Sequence, residues 1–138
     1  MKTEPIIQTV VFKNTSPKVI YDLYMDPKKH AALTGAPAKI QAKVGGKFSA
    51  YSGGLTGTIL HLEKDKMIVQ TWRSDAFKKS DVDSMLFIQL EAKGKDTVLR
   101  MVHGNVPKQD YKGVTDGWPT YYWEPIKEHL KKKTAKKK

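Results

Sequence analysis

No cysteine occurs in the 138-residue chain, and that absence removes structural disulfides, thiolate zinc sites and cysteine nucleophiles together. No apolar run approaches the roughly 20 residues that a membrane-spanning helix needs. Met1-Lys2-Thr3-Glu4-Pro5 leads directly into a strand-like stretch, with no signal-peptide core behind it. The expectation is a cytoplasmic protein with no membrane partner. Acidic residues are scarce, 14 Asp and Glu against 25 Lys and Arg, for a formal charge of +11. Much of the excess sits in Lys131, Lys132, Lys133, Lys136, Lys137 and Lys138, beyond the last packed residue. Residues 131–138 therefore read as a basic flexible tail, a solvated end and not a fold element. Basic and aromatic residues do not interleave as a stacking platform on any expected strand, which argues against nucleic acid as a partner. With 39% hydrophobic residues, no internal repeat and no linker, residues 1–130 are expected to form one domain with a real core.

What is present is organised around Gly117-Trp118-Pro119-Thr120-Tyr121-Tyr122-Trp123-Glu124-Pro125-Ile126-Lys127-Glu128-His129-Leu130. Trp118, Tyr122, Ile126 and Leu130 recur every four residues, placing one apolar stripe along a helix and leaving Glu124, Lys127, Glu128 and Lys131 to water. The spacing predicts a closing helix from about Gly117 to Lys133, with Pro119 in its first turn and a bend at Pro125. A stripe of this width needs a broad surface beneath it.

The preceding chain supplies a sheet. Ile6 to Lys13 is apolar and β-branched, the pattern of a strand. Ser16-Pro17 and Asp26-Pro27 each pair a capping residue with a proline, so two short helices are expected, to about Tyr24 and Leu33. The period then changes. Ile40, Ala42 and Val44 alternate with polar residues, and turn signals at Gly45-Gly46, Ser52-Gly53-Gly54, Lys64-Asp65-Lys66 and Lys93-Gly94-Lys95-Asp96 divide the rest into short strands. Lys108 to Asp116 reads as a loop. The order is strand, two helices, about six strands, one long helix: an α+β arrangement with a curved antiparallel sheet around a long C-terminal helix.

Several strings in this order resemble a known family: Ala36-Pro37-Ala38 with Gly45-Gly46-Lys47-Phe48, then Gly57, Ile68-Val69-Gln70-Thr71-Trp72-Arg73, Thr97, Val106-Pro107, and Gly117-Trp118 with Tyr121-Tyr122-Trp123. Together they are similar to the C-terminal domain of the activator of the heat-shock protein 90 ATPase, within the START-like, helix-grip group (SRPBCC) that includes the birch pollen allergen. The resemblance implies a seven-stranded antiparallel sheet, a sheet-helix cavity, and either chaperone contact or apolar ligand binding. The full co-chaperone also carries an N-terminal docking domain, whereas this chain is expected to begin at the C-terminal one.

Candidate site residues follow from the arrangement. Leu86, Ile88 and Leu90 on one strand and Leu99, Met101 and His103 on the next are expected on the concave face, near Trp72 and covered by Trp118 and Tyr122. Tyr24 and Leu33 are expected at the mouth of the gap. Trp72, Trp118 and Tyr122 are more often core than ligand contacts, and His103 is more often a hydrogen-bonded core or rim histidine than a polar anchor in a cavity. Tyr121 and Trp123 point away from the Trp118 stripe and are candidates for a partner's surface. His30, His61, His103 and His129 show no metal-ligand spacing, and Glu124 with Glu128 reads as a lysine-balanced helix face. The serines lack a nucleophile elbow and the glycine pairs sit in hairpins, not before a helix N-terminus. No catalytic residue, metal or cofactor is expected. The reading is a non-catalytic binding domain, taking either a heat-shock protein 90-type chaperone, through basic surface against an acidic partner, or a small apolar ligand.

Overall fold

In the computed structural model, which describes residues 3–136 with side chains through residue 132, β1 (Ile6–Phe12) opens the sheet. Alternation sets its faces. Ile6, Val10 and Phe12 are buried, while Ile7 and Val11 are exposed on the other side. Two helices follow, α1 (Pro17–Met25) and α2 (Pro27–Thr34), each starting on a proline whose missing N–H has no partner to lose at that position. Asp26 caps α2, its Oδ1 accepting from the backbone N–H of Lys28 and Lys29 at 2.9 and 3.1 Å. Ser16 begins α1 through its backbone carbonyl; its side chain makes no capping bond.

The helix pair carries the chain to the far edge of the sheet. From there β2 (Lys39–Ile40), β3 (Lys47–Ala50), β4 (Leu55–Glu63), β5 (Met67–Ser74), β6 (Ser84–Lys93) and β7 (Asp96–Gly104) return as a meander. β7 then pairs antiparallel with β1, giving the order β1-β7-β6-β5-β4-β3-β2. This is the expected seven-stranded antiparallel helix-grip sheet. β2 is shorter than its alternation predicts, because Ala42 and Val44 fall in the turn toward Gly45 and Gly46. At Gly57 the strands come so close that a Cβ would collide with the Thr71 carbonyl oxygen, so only glycine fits.

Helical structure resumes well before Gly117. After a 3₁₀ turn, Lys108–Asp110, come α3 (Tyr111–Trp118), a π-helical turn (Pro119–Trp123) and α4 (Glu124–Lys136). The segment expected as a loop is therefore the first part of the closing helix, and Pro119 lies inside it. Two glycines weaken a helix intrinsically by about 1 kcal/mol each, but Tyr111 and Val114 pack against the core and outweigh that cost.

Each proline removes a backbone donor from the rod, and side chains take its place. Pro119 cannot bond the Thr115 carbonyl, which instead accepts from Gln8 Nε2 at 2.9 Å. Pro125 has no N–H to offer one turn back, and the Tyr121 carbonyl accepts the Tyr51 hydroxyl at 3.4 Å. Between the two prolines the helix widens, with the Glu124 N–H reaching back five residues to the Pro119 carbonyl. Helical backbone continues to Lys136, so the expected tail is helical over 131–136; its last two residues, and its side chains from 133 onward, lie outside the described residues.

Candidate functional site

The middle of the palm is filled. Leu86, Ile88, Leu90, Leu99, Met101 and His103 share the concave face as expected, and all are buried beneath the helix. His103 is held on both nitrogens. Trp118 Nε1, which can only donate, bonds its Nδ1 at 3.1 Å, so Nε2 carries the proton toward Ser84 Oγ at 2.8 Å. Ser84 in turn donates to the Trp72 carbonyl at 2.6 Å. Burial pushes the His103 imidazole down to about 4, so it is neutral.

A second closed network lies under α1 and α2. His30 Nδ1 donates to the Tyr24 carbonyl at 2.8 Å, and its Nε2 accepts the Tyr122 hydroxyl at 3.0 Å. The Tyr24 hydroxyl donates to Gln70 Oε1 at 2.8 Å. Burial lowers the His30 pKa and raises those of both tyrosines. With Phe48 stacked on Tyr24 at 5.4 Å, these groups satisfy one another.

Open space is found instead at one end of the palm, as a cleft of about 570 Å³. One wall is the β3–β4 connection, Tyr51, Gly54 and Leu55; another is the end of β5, Trp72 with Ser74, Asp75 and Ala76. The third is the early closing helix, where Gln109, Gly113, Gly117 and Tyr121 form one strip and Asp110, Val114, Trp118 and Tyr122 the next. Gly113 makes room, since a Cβ there would meet nothing within 4 Å. Tyr51 and Ser52 hold φ of 52° and 55°, a left-handed stretch costly for non-glycine residues. That turn sets the Tyr51 ring edge-on to Tyr121 at 5.9 Å. Burial, and then Tyr121, push the Tyr51 hydroxyl up to about 12.

Trp72, Trp118 and Tyr122 thus line the cleft, and Tyr121, expected on a partner surface, stands 56% exposed at its rim. Tyr24, Leu86, Ile88, Met101 and His103 are interior core, and Leu33 is a partly buried side chain packed on it; none of them lines the cleft. Trp123 is not a surface residue. It is 4% exposed, stacks on Trp118 at 5.2 Å and 17°, and donates its Nε1 to Gln8 Oε1 at 2.7 Å. The π turn is the cause, because a turn closing on the fifth residue brings positions 118 and 123 to one face. Asp75, Asp110, Gly113 and Tyr51 were not singled out in the sequence. The available signal was the four-residue spacing of Gln109, Gly113, Gly117 and Tyr121, hidden by reading 108–116 as a loop.

Among the described residues no group of His, Cys, Asp or Glu is placed to hold a metal ion, and no helix is long and apolar enough to cross a membrane. On the opposite, convex face, Ile7, Val102 and Phe87 pair in one row across β1, β7 and β6, at 70%, 38% and 43% exposure.

Comparison with known proteins agrees with this architecture. An HSP90 activator from Plasmodium falciparum has a crystal structure that superposes with a TM-score of 0.83 at 25% identity, covering 91% of this chain and 95% of that one. A Mesorhizobium loti protein shares the fold, with a TM-score of 0.78 at 20% identity over 94% of this chain and 98% of the other. In sequence, the human activator of 90 kDa heat shock protein ATPase homolog 1 is 30% identical over 114 residues, 83% of this chain and 33% of that protein. The Dictyostelium discoideum homolog is 30% identical over 128 residues, 90% of this chain and again 33% of the relative. The chain thus spans about a third of the length of these curated relatives. The family model for Activator of Hsp90 ATPase homolog 1-like proteins matches residues 14–131, nearly the whole sheet and its closing helix, and it is to this family that the chain belongs.

Proposed function

We propose that residues 1–130 act as one non-catalytic interaction domain of co-chaperone type, whose partner is a chaperone of the heat-shock protein 90 class in the cytosol. Family membership supports the partner class. The observation that carries a docking role is the convex row of Ile7, Val102 and Phe87, an apolar strip exposed across three paired strands where a sheet face would otherwise be polar. The chain's overall excess of Lys and Arg favours an acidic partner and a binding constant that falls with salt. Both interior histidines are neutral with both ring nitrogens engaged inside the protein, which leaves neither nitrogen free to take or give a proton to a substrate and supports a role without catalysis.

The test is titration calorimetry of the chain against a purified chaperone of this class at low salt, with its ATP turnover measured in parallel. Binding by the wild type that drops at least tenfold in Phe87→Asp and Val102→Asp is expected. No heat of binding and unchanged turnover would overturn the proposal. A second reading, carriage of a small ligand, is favoured by the cleft beside Trp72, Trp118 and Tyr122. It moves the ligand away from His103 and Tyr24, whose polar atoms are occupied within the protein.

A further inference from the structure

Buried polar side-chain atoms with no hydrogen-bond partner number three among the described residues: Trp72 Nε1, Asp110 Oδ2 and Asp65 Oδ1. Two of the three belong to residues that line the same cleft. Their chemistry is complementary and specific. The Trp72 indole, on a residue only 6% exposed, requires an acceptor, whereas the indole nitrogens of Trp118 and Trp123 have theirs in His103 and Gln8. The Asp110 carboxylate oxygen requires a donor. Leaving such groups unpaired costs stability, and a ligand that supplies both partners removes that cost.

The surroundings narrow the ligand further. The chain carries a formal charge of +11, yet among the described residues no lysine, arginine or histidine lines the cleft, while Asp75 and Asp110 do. The remaining walls include five aromatic side chains, Tyr51, Trp72, Trp118, Tyr121 and Tyr122. A carboxylate pair beside aromatic faces in a basic protein is an environment for a cation, which ring faces attract and carboxylates neutralise. A quaternary ammonium has no N–H for Asp110, so a protonated amine fits better. Room for a ring comes from Gly113, where a side chain would meet only open space.

We propose that the cleft binds a small arylalkylamine: a protonated amine at Asp110, a ring among the tyrosines, and an acceptor oxygen at the Trp72 indole. This deepens the ligand-carriage reading and rests on it. Tyramine and tyrosol make the test, because they share ring and phenol and differ in carrying an ammonium or a neutral hydroxyl. Each is titrated into the full chain by calorimetry, with the Trp72 indole N–H followed by ¹H–¹⁵N NMR and assigned with Trp72→Phe. Tyramine is expected to bind at least tenfold more tightly than tyrosol and to shift the Trp72 indole resonance. Asp110→Asn, whose carboxylate makes no helix-capping bond, is expected to cut tyramine affinity at least fivefold while leaving tyrosol unchanged. Gly113→Phe should abolish both. Equal affinity for the two compounds would overturn the amine assignment and leave the ligand-carriage reading intact. Binding of neither compound to the folded wild type would overturn the assignment as well, and a thermal-shift screen of neutral aromatics showing no hit would take the carriage reading with it.

Discussion

Acidification should unfold this protein through His103. The imidazole is fully buried, accepts from Trp118 and donates to Ser84, and is held down to about 4 by burial. In the unfolded chain it titrates near its ordinary 6.5. Below that value the unfolded state gains a proton that the folded state refuses, so the stabilisation is complete above pH 6.5 and is lost progressively down to pH 4. Linkage puts the loss at about 2.5 kcal/mol by pH 4.5, a large share of the margin of a small domain. His30, also lowered by burial, acts in the same direction, its stabilisation being lost as pH falls below its ordinary 6.5. Asp96 is held low by the Asn14 backbone N–H and then by Lys13, and its contribution is lost only below its ordinary 3.8, outside the window. Urea melts at pH 7, 5.5 and 4.5 on the wild type and on His103→Gln separate these groups, since glutamine offers an acceptor to Trp118 and a donor to Ser84 but takes up no proton. The variant should lose about 2.5 kcal/mol less than the wild type between pH 7 and 4.5. Identical pH dependence in the two proteins would refute the buried neutral histidine.

Other substitutions probe the helix and the sheet. Trp118→Ala should cost about 3–5 kcal/mol, as large-to-small core changes do, and a urea melt showing less than about 1 kcal/mol would mean the helix face is misassigned. Gln8→Ala strands the Thr115 carbonyl and the Trp123 indole N–H together, and about 2 kcal/mol should be lost in the same assay. Gly57→Ala forces a Cβ onto the Thr71 carbonyl and should lower the melting temperature, whereas Gly113→Ala, open to space in a helix, should raise stability by up to about 1 kcal/mol. Comparable losses from both glycine changes would contradict the cleft geometry.

Most strands were legible because alternation gives them a buried face and turn signals separate them, whereas β2, with no buried residue, is shorter than its alternation predicts. Leu86, Ile88 and Leu90 on β6 and Leu99, Met101 and His103 on β7 face inward as alternation requires. The helix was legible only in part. Its four-residue stripe of Trp118, Tyr122 and Ile126 is buried as read, but local rules place Lys108 to Asp116, with Gly113, in a loop and start the helix at Gly117 with Pro119 in its first turn. Propensity lost to packing there. Trp123 was misplaced for a geometric reason, since a regular helix rotates it away from Trp118 and the π turn rotates it back. Two prolines six residues apart, each stripping a donor from an aromatic helix, were the unread clue. The cavity was expected along the whole palm, but residue volume decides where it lies: Trp118, Tyr122 and Trp123 fill the centre, and Gly113 and Gly117 hollow the end.

That separation carries a consequence for how the two proposed activities relate. Phe87 and Val102 lie on the convex side of β6 and β7, while the cleft opens between the helix and the ends of β3 to β5. Leu86, Ile88 and Met101 stand between the two faces as closely packed, buried core. Perturbations at distant, unconnected sites add. Asp110→Asn combined with Phe87→Asp should therefore weaken amine and chaperone binding each by the same factor as the single change does. A double variant whose chaperone affinity departs from that of Phe87→Asp by more than about threefold, or about 0.6 kcal/mol, would show that the cleft and the convex face communicate through the sheet.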